Sequence, residues 1–203
     1  MAAVANPSGL STAAELDRRR ALLAQSPIIA PVPNLTIFQN ALDAPVHALY
    51  LLMGTPLSFP EIIHETHKRE KLCLVNLDFS EGLARDRHAV EFLASHGADG
   101  IISTKSEVLR TVGAFGMLSI LRTFAIDKAA VAVTLKILTH FIPDAIEILP
   151  AAVAPRVIAH IRPEYPGVYI IGGGLIESVR EIEGLFEAGV GSITTSDTRL
   201  WVI

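Results

Sequence analysis

His96-Gly97-Ala98-Asp99-Gly100-Ile101-Ile102-Ser103-Thr104 reads as one structural unit. A helix ends, a glycine sits where a left-handed residue would close it, and a short turn follows. Then comes an apolar run of strand length with hydroxyl side chains at its exit. Ala188-Gly189-Val190-Gly191-Ser192-Ile193-Thr194-Thr195-Ser196 repeats that order. The echo is short, and the fold rests on the alternation around it. Apolar runs rich in Val, Ile and Leu begin near Ile28, Val46, Leu72, Gly100, Met117, Ala145, Val168 and Ser192. Their length, about 4 to 8 residues, is that of strands buried on both faces. Helical patterns lie between them over residues 35–42, 60–70, 88–96, 106–115, 127–140, 153–162 and 178–188. Ser178 with Glu181 spells a capping box. A further helix is expected over residues 11–23, capped by Ser11 or Thr12.

Eight strands alternating with helices imply parallel pairing through crossover helices. An open doubly wound sheet more often has about five to seven strands. Eight units in series fit a closed (β/α)8 barrel, although 203 residues is near the lower limit of its size. The two echoing units are the fourth and the eighth, as a repeated half-barrel would place them. The fold class expected is α/β, a TIM-barrel-like single domain. Residues 27–203 form that domain and residues 1–26 a short helical extension.

Composition narrows the function. Half of the residues are hydrophobic and 19% are charged, enough to bury a core. A net charge of −4 excludes a uniformly basic nucleic-acid coat but not a local basic patch. The single cysteine, Cys73, excludes a disulfide scaffold or a four-cysteine zinc site. Mean hydropathy is high, at +0.43. Even so, no run reaches the roughly 18 unbroken apolar residues of a membrane helix. The first ten residues lack a basic stretch followed by an apolar core, so no signal peptide and a cytoplasmic, reducing setting are expected.

In such a barrel the functional mouth lies at the C-terminal ends of the strands. Strand seven exits into Gly172-Gly173-Gly174 and strand eight into Thr194-Thr195-Ser196-Asp197. Glycines admit an anion close to the backbone and hydroxyls add donors, so these loops are the expected phosphate site. The triplet does not match the spaced dinucleotide fingerprint. A tight turn and a helix cap would also account for these residues. Within Asp144-Ala145-Ile146-Glu147-Ile148-Leu149-Pro150, alternation sends Glu147 into the barrel. Asn76 and Asp78 alternate in the same way on strand three. Lys105 follows strand four and Arg122 ends strand five. Asp78, Lys105, Arg122 and Glu147 are therefore expected to converge as polar ligand contacts, as acid-base groups, or as an internal salt-bridge network.

Other motifs carry less. His64-Glu65-Thr66-His67 lacks the spacing of a metalloprotease helix, the remaining histidines are scattered, and neither a metal site nor a cofactor is expected. Cys73 reads as an inert core residue. Arg18-Arg19-Arg20 and the basic residues around Lys68 and Arg85 read as solvated faces. No RNA-recognition signature is present.

Several segments resemble the glycerol uptake operon antiterminator regulatory protein family. They are Asn76-Leu77-Asp78-Phe79-Ser80-Glu81-Gly82-Leu83, Ile101-Ile102-Ser103-Thr104-Lys105-Ser106, Ile146-Glu147-Ile148-Leu149-Pro150, Ile171-Gly172-Gly173-Gly174-Leu175-Ile176, and Ile193-Thr194-Thr195-Ser196-Asp197-Thr198-Arg199-Leu200-Trp201. The resemblance runs in order from about Ile28 to Trp201. It implies a TIM-barrel-like regulator that binds glycerol-3-phosphate and the leader mRNA of a glycerol catabolism operon, preventing termination. The chain departs from the family pattern at Pro33, where an arginine is common, and in ending at Val202-Ile203 without further basic residues. A phosphometabolite lyase or isomerase is the alternative, with Lys105 as a Schiff-base residue and Glu147 or Asp78 as base. A metabolite-binding protein that acts through a protein partner is a third reading. The sequence leaves homo-oligomer formation open.

Overall fold

The computed structural model describes residues 12–202. Eight parallel strands close into a barrel in sequence order. They are β1 (Ile28–Val32), β2 (Ala48–Leu51), β3 (Leu72–Asn76), β4 (Gly100–Ser103), β5 (Leu118–Phe124), β6 (Ala145–Leu149), β7 (Tyr169–Gly173) and β8 (Ser192–Thr194). The helices are α1 (Thr12–Ala24), α2 (Leu35–Asp43), α3 (Phe59–Lys68), α4 (Arg87–Ser95), α5 (Ser106–Leu109), α6 (Lys128–Leu138), α7 (Ala154–Ile161) and α8 (Val179–Glu187). The ring closes through β1 and β8, where Ile29 lies opposite Thr194.

Alternation along the strands builds the two layers. Ile29, Tyr50, Leu74, Ile102, Ile120, Ala145 and Ile171 fill the barrel interior. Ala30, Leu49, Cys73, Ile101, Leu121, Ile146 and Ile170 face the helices. The two echoing sequences fold alike. Gly97 and Gly189 are both left-handed, at φ 90° and 93°. In each unit the next residue, Ala98 or Val190, donates its N–H back to the preceding helix, at Leu93 and Leu185. The Ser178–Glu181 capping box forms. The expected helix over 106–115 instead breaks into α5 and a 3-10 turn, Val112–Phe115. The break falls at Arg110–Thr111, and the turn ends on Gly116 at φ 71°.

Helix α1 is part of the barrel's packing. Leu23 is buried against the interior cluster, with Leu16 and Leu22 beside it. The cap residue Ser11 lies outside the described residues. Of the triple arginine, Arg18 and Arg20 are exposed, as a solvated face requires, and Arg19 is the one that departs from it. Arg19 is buried; its Nε donates to Asp99 Oδ1 at 2.9 Å and its Nη1 to the Gly116 carbonyl at 2.7 Å. Asp99 Oδ2 accepts from Cys73 N–H at 2.8 Å and from His67 Nε2 at 2.9 Å. His67 is exposed, as expected, and adds one hydrogen bond to this cluster from its rim. The next arginine, Arg20, reaches Asp144 at 2.6 Å. Asp144 also accepts from the Ser119 N–H and hydroxyl. Two consecutive arginines thus clamp α1 to the loops that enter β4 and β6. Burial pushes the Cys73 thiol well up, in keeping with an inert core residue.

Arg19→Ala strips a buried carboxylate of its cation and should cost about 3 kcal/mol of stability. Arg20→Ala, at a half-exposed pair, should cost no more than about 1 kcal/mol. Urea denaturation of the two variants checks the difference.

Candidate functional site

The upper interior layer of the barrel is polar. Strand pairing places Arg122 on β5 directly opposite Glu147 on β6. Arg122 Nε donates to Glu147 Oε2 at 2.5 Å, with the Glu147 side chain 1% exposed. Glu147 Oε1 accepts the Thr194 hydroxyl at 2.9 Å. Gly173 pairs with Thr194 in the next ladder. A Cβ at Gly173 would stand 2.3 Å from Thr194 Oγ1 and 3.0 Å from Glu147 Oε1. The glycine is what leaves room for the Glu147–Thr194 bond.

Above this layer opens a cavity of about 680 Å³. Arg122, Glu147, Gly174, Thr194, Thr195 and Ser196 all line it. Gly172 and Gly173 are not on its lining. A Cβ on Gly172 would meet Ala151 and Val190 in the helix layer. Gly174 turns the chain at φ 77°, and Leu175 follows at φ 59° with 80% of its surface exposed. A non-glycine residue in that region is strained, and such strain concentrates at ligand-holding turns. The strand-eight loop is pinned from below, where Trp201 Nε1 donates to the Thr195 carbonyl at 2.8 Å. Thr195 Oγ1 accepts the Asp197 N–H at 3.1 Å, which leaves its own hydroxyl proton free to donate. Asp197 is held below its usual pKa by the Arg199 guanidinium. Cavity charge nearly cancels, since Arg122 pairs with Glu147 and Arg199 with Asp197, leaving Glu177 at the rim.

Two buried polar atoms in this layer have no partner, the Tyr50 hydroxyl and Asn76 Nδ2. Tyr50 lines the cavity. Burial, with the negative charge of Glu147, raises its pKa well above normal and outweighs Arg122, so the hydroxyl keeps its proton. The outer nitrogens of Arg122 make no hydrogen bond among the described residues. Tyr50, Glu177 and Arg199 did not emerge from the sequence. Alternation in Ala48-Leu49-Tyr50-Leu51 does mark Tyr50 as inward-facing.

Asp78 and Lys105 do not reach this cavity. They line a neighbouring cleft of about 360 Å³ with Phe79, Arg85, Thr104, Arg122 and Phe124. Asp78 holds the ends of β3 and β4 together, accepting from the Ser103 hydroxyl at 2.8 Å, Thr104 N–H at 2.7 Å and Arg85 Nε at 3.1 Å. Burial would raise its pKa, but these hydrogen bonds and the Arg85 charge bring it below the usual value. The Lys105 ammonium has no partner among the described residues and sits apart from Glu147. A Schiff base at Lys105 served by Glu147 is not supported by this placement; Asp78, the other candidate base, shares the cleft with Lys105 and is held by Ser103, Thr104 and Arg85. No cluster of His, Cys, Asp or Glu that could hold a metal ion occurs among the described residues. Nor is any helix there long and apolar enough to cross a membrane.

Residues 28–201 match the family model described as glycerol-3-phosphate responsive antiterminator. The chain belongs to that family. It is 30% identical over 183 residues to the uncharacterised protein YgcP of Escherichia coli K12, covering 90% of this chain and 95% of that one. Among solved structures it is similar to a glycerol uptake operon antiterminator-related protein from Thermotoga maritima. The two share 30% identity and a TM-score of 0.79, covering 88% of this chain and 99% of that one. The corresponding regulatory protein from Listeria monocytogenes shares 27% identity and a TM-score of 0.80, over 86% of this chain and 94% of that one. Deoxyribose phosphate aldolase from Aeropyrum pernix, at 15% identity and a TM-score of 0.64 over 97% of each chain, shares the fold alone.

Two outcomes test the site's construction. Gly173→Ala should displace the Thr194 hydroxyl from Glu147 and lower stability by about 1 to 3 kcal/mol, read by thermal denaturation. Asp78 has a folded pKa below its unfolded value near 3.8. Its contribution is therefore complete above that value and is lost as pH falls through the lower, folded one. Asp78→Asn should flatten the acid limb of the stability–pH curve while leaving its shape above pH ~6 unchanged.

Proposed function

We propose that the chain is a transcription antitermination regulator of glycerol metabolism. It would bind glycerol-3-phosphate in the mouth cavity and the leader mRNA of a glycerol catabolism operon. The observation that carries the metabolite half is the Tyr50 hydroxyl, a buried proton donor without a partner on the cavity wall. Such a donor costs about 1 to 3 kcal/mol until something accepts from it. Around it stand the outer nitrogens of Arg122, the Thr195 hydroxyl, Ser196 and the Gly174 turn. These last three belong to the loops after strands seven and eight, the usual phosphate position of the fold.

Glycerol-3-phosphate suits this arrangement. Its phosphate would meet Gly174, Thr195 and Ser196, with Arg122 supplying positive charge. Its hydroxyls would donate to Glu147 and accept from Tyr50. Thr194 would act by fixing Glu147 rather than by touching the ligand. The near-neutral cavity disfavours a bare anion and suits a ligand with both a phosphate and hydroxyls. Regulation requires the metabolite to bind the RNA-competent state more tightly than the other state. An enzyme of phosphorylated metabolites has less support, because no lysine lines this cavity.

Calorimetry with glycerol-3-phosphate, using glycerol and inorganic phosphate as controls, tests the reading. Micromolar binding is expected in the wild type, and Thr195→Glu should abolish it. Tyr50→Phe should separate binding from folding. It should raise the melting temperature, since an unpaired buried hydroxyl is removed, and weaken the metabolite by about tenfold, since a hydrogen bond is lost. A folded wild type that binds no glycerol-3-phosphate would overturn the metabolite half.

A further inference from the structure

Phe79 and Phe124 are 55% and 52% exposed, and no other Phe, Tyr or Trp among the described residues is exposed. An exposed phenyl ring has no polar handle to justify its place in water. Both rings line the same cleft at the mouth, beside Arg85, Lys105 and Arg122. Phe79 lies in the turn after β3 and Phe124 ends β5, so they come together only through the barrel's strand order. The cleft's one carboxylate, Asp78, is already held by Ser103, Thr104 and Arg85. Lys105 has no anionic partner among the described residues, and the Arg122 guanidinium lies 5.9 Å from the centre of the Phe79 ring.

Aromatic faces interleaved with cations, of which Lys105 is unengaged among the described residues, make a surface for unpaired nucleotides, where rings stack on bases and cations meet the phosphates. We propose that this cleft binds an unstacked base of single-stranded RNA against Phe79 and Phe124, with Lys105 contacting the backbone phosphate. The proposal rests on the RNA half of the reading above and assigns it a surface. A duplex would be excluded, because its bases are not available to stack. Arg122 is the link to the metabolite. It lines the main cavity through its contact with Glu147 and the RNA cleft through its contact with Phe79. A phosphate that draws the outer nitrogens of Arg122 into the cavity would change what Phe79 presents. The two sites would then be coupled through one side chain.

The test uses the full chain and a randomised pool of single-stranded RNA, enriched on the wild type with glycerol-3-phosphate present. Affinity for the enriched RNA is read by fluorescence anisotropy across a salt series. Phe79→Ala and Phe124→Ala should each weaken binding at least about fivefold with the salt slope unchanged. Lys105→Gln should reduce the slope by about one. Photocrosslinked uridine should appear on Phe79 or Phe124 by mass spectrometry. Phe124→Ala should keep glycerol-3-phosphate affinity, and Arg122→Lys should remove the metabolite's effect on RNA affinity. Enriched RNA that binds the phenylalanine variants as tightly as the wild type would overturn this surface and leave the regulatory reading standing. Failure to enrich any RNA would overturn the RNA half of that reading together with the proposal. Loss of self-association in Phe124→Ala by sedimentation velocity, without RNA binding, would assign the rings to contact between copies of this chain and also overturn the proposal.

Discussion

A carboxylate buried inside a barrel must be matched, and Glu147 sets the terms for everything around it. Its charge is tolerable only because strand pairing brings Arg122 opposite it on β5 and because Thr194 donates from β8. That second bond needs an empty Cβ position on β7, which Gly173 provides. Residues on four strands are thereby committed to one ion pair. The commitment leaves Arg122, Tyr50 and Thr195 together on the cavity wall, with the buried Tyr50 hydroxyl unpartnered.

The two ends of the barrel are built on opposite principles. At the entry end of the strands, polar groups find partners within the chain. Asp99 accepts from Arg19, His67 and Cys73, and Asp144 from Arg20 and Ser119. Helix α1 adds leucines beneath the interior cluster. At the exit end, buried donors go unpartnered and Leu175 holds a strained backbone angle. Stability is concentrated where no ligand arrives, and unsatisfied chemistry is concentrated where one can. The related antiterminator structures align over nearly the whole of this barrel. The aldolases that share the fold contribute only that, because chemistry on a barrel resides in its site residues.

Much of this was legible in the sequence. The eight apolar runs, the helices between them and the inward direction of Glu147 follow from period-two and helical patterning, which depend on local geometry alone. The capping box at Ser178 and the glycines closing α4 and α8 are local for the same reason. The break after α5 was not legible, since it falls at Arg110–Thr111, where neither residue is a helix breaker. The roles of Arg18-Arg19-Arg20 and His67 were also hidden. A basic run looks solvated until the fold carries Asp99 and Asp144 to it from far along the chain.

What the sequence determined by itself was the alternation, and with it the closed parallel barrel and the side of each strand on which a residue stands. The tertiary structure decided which inward residues meet. Register set Arg122 against Glu147 and Gly173 beneath Thr194, while the curvature of the ring put Asp78 and Lys105 into a separate cleft with Phe79 and Phe124. It also turned the glycine triplet from a uniform phosphate loop into residues with different places, of which Gly174 lines the cavity. The reason is physical. Facing direction is fixed by the backbone of one strand, whereas contact across a barrel depends on stagger, tilt and closure, which belong to all eight strands together.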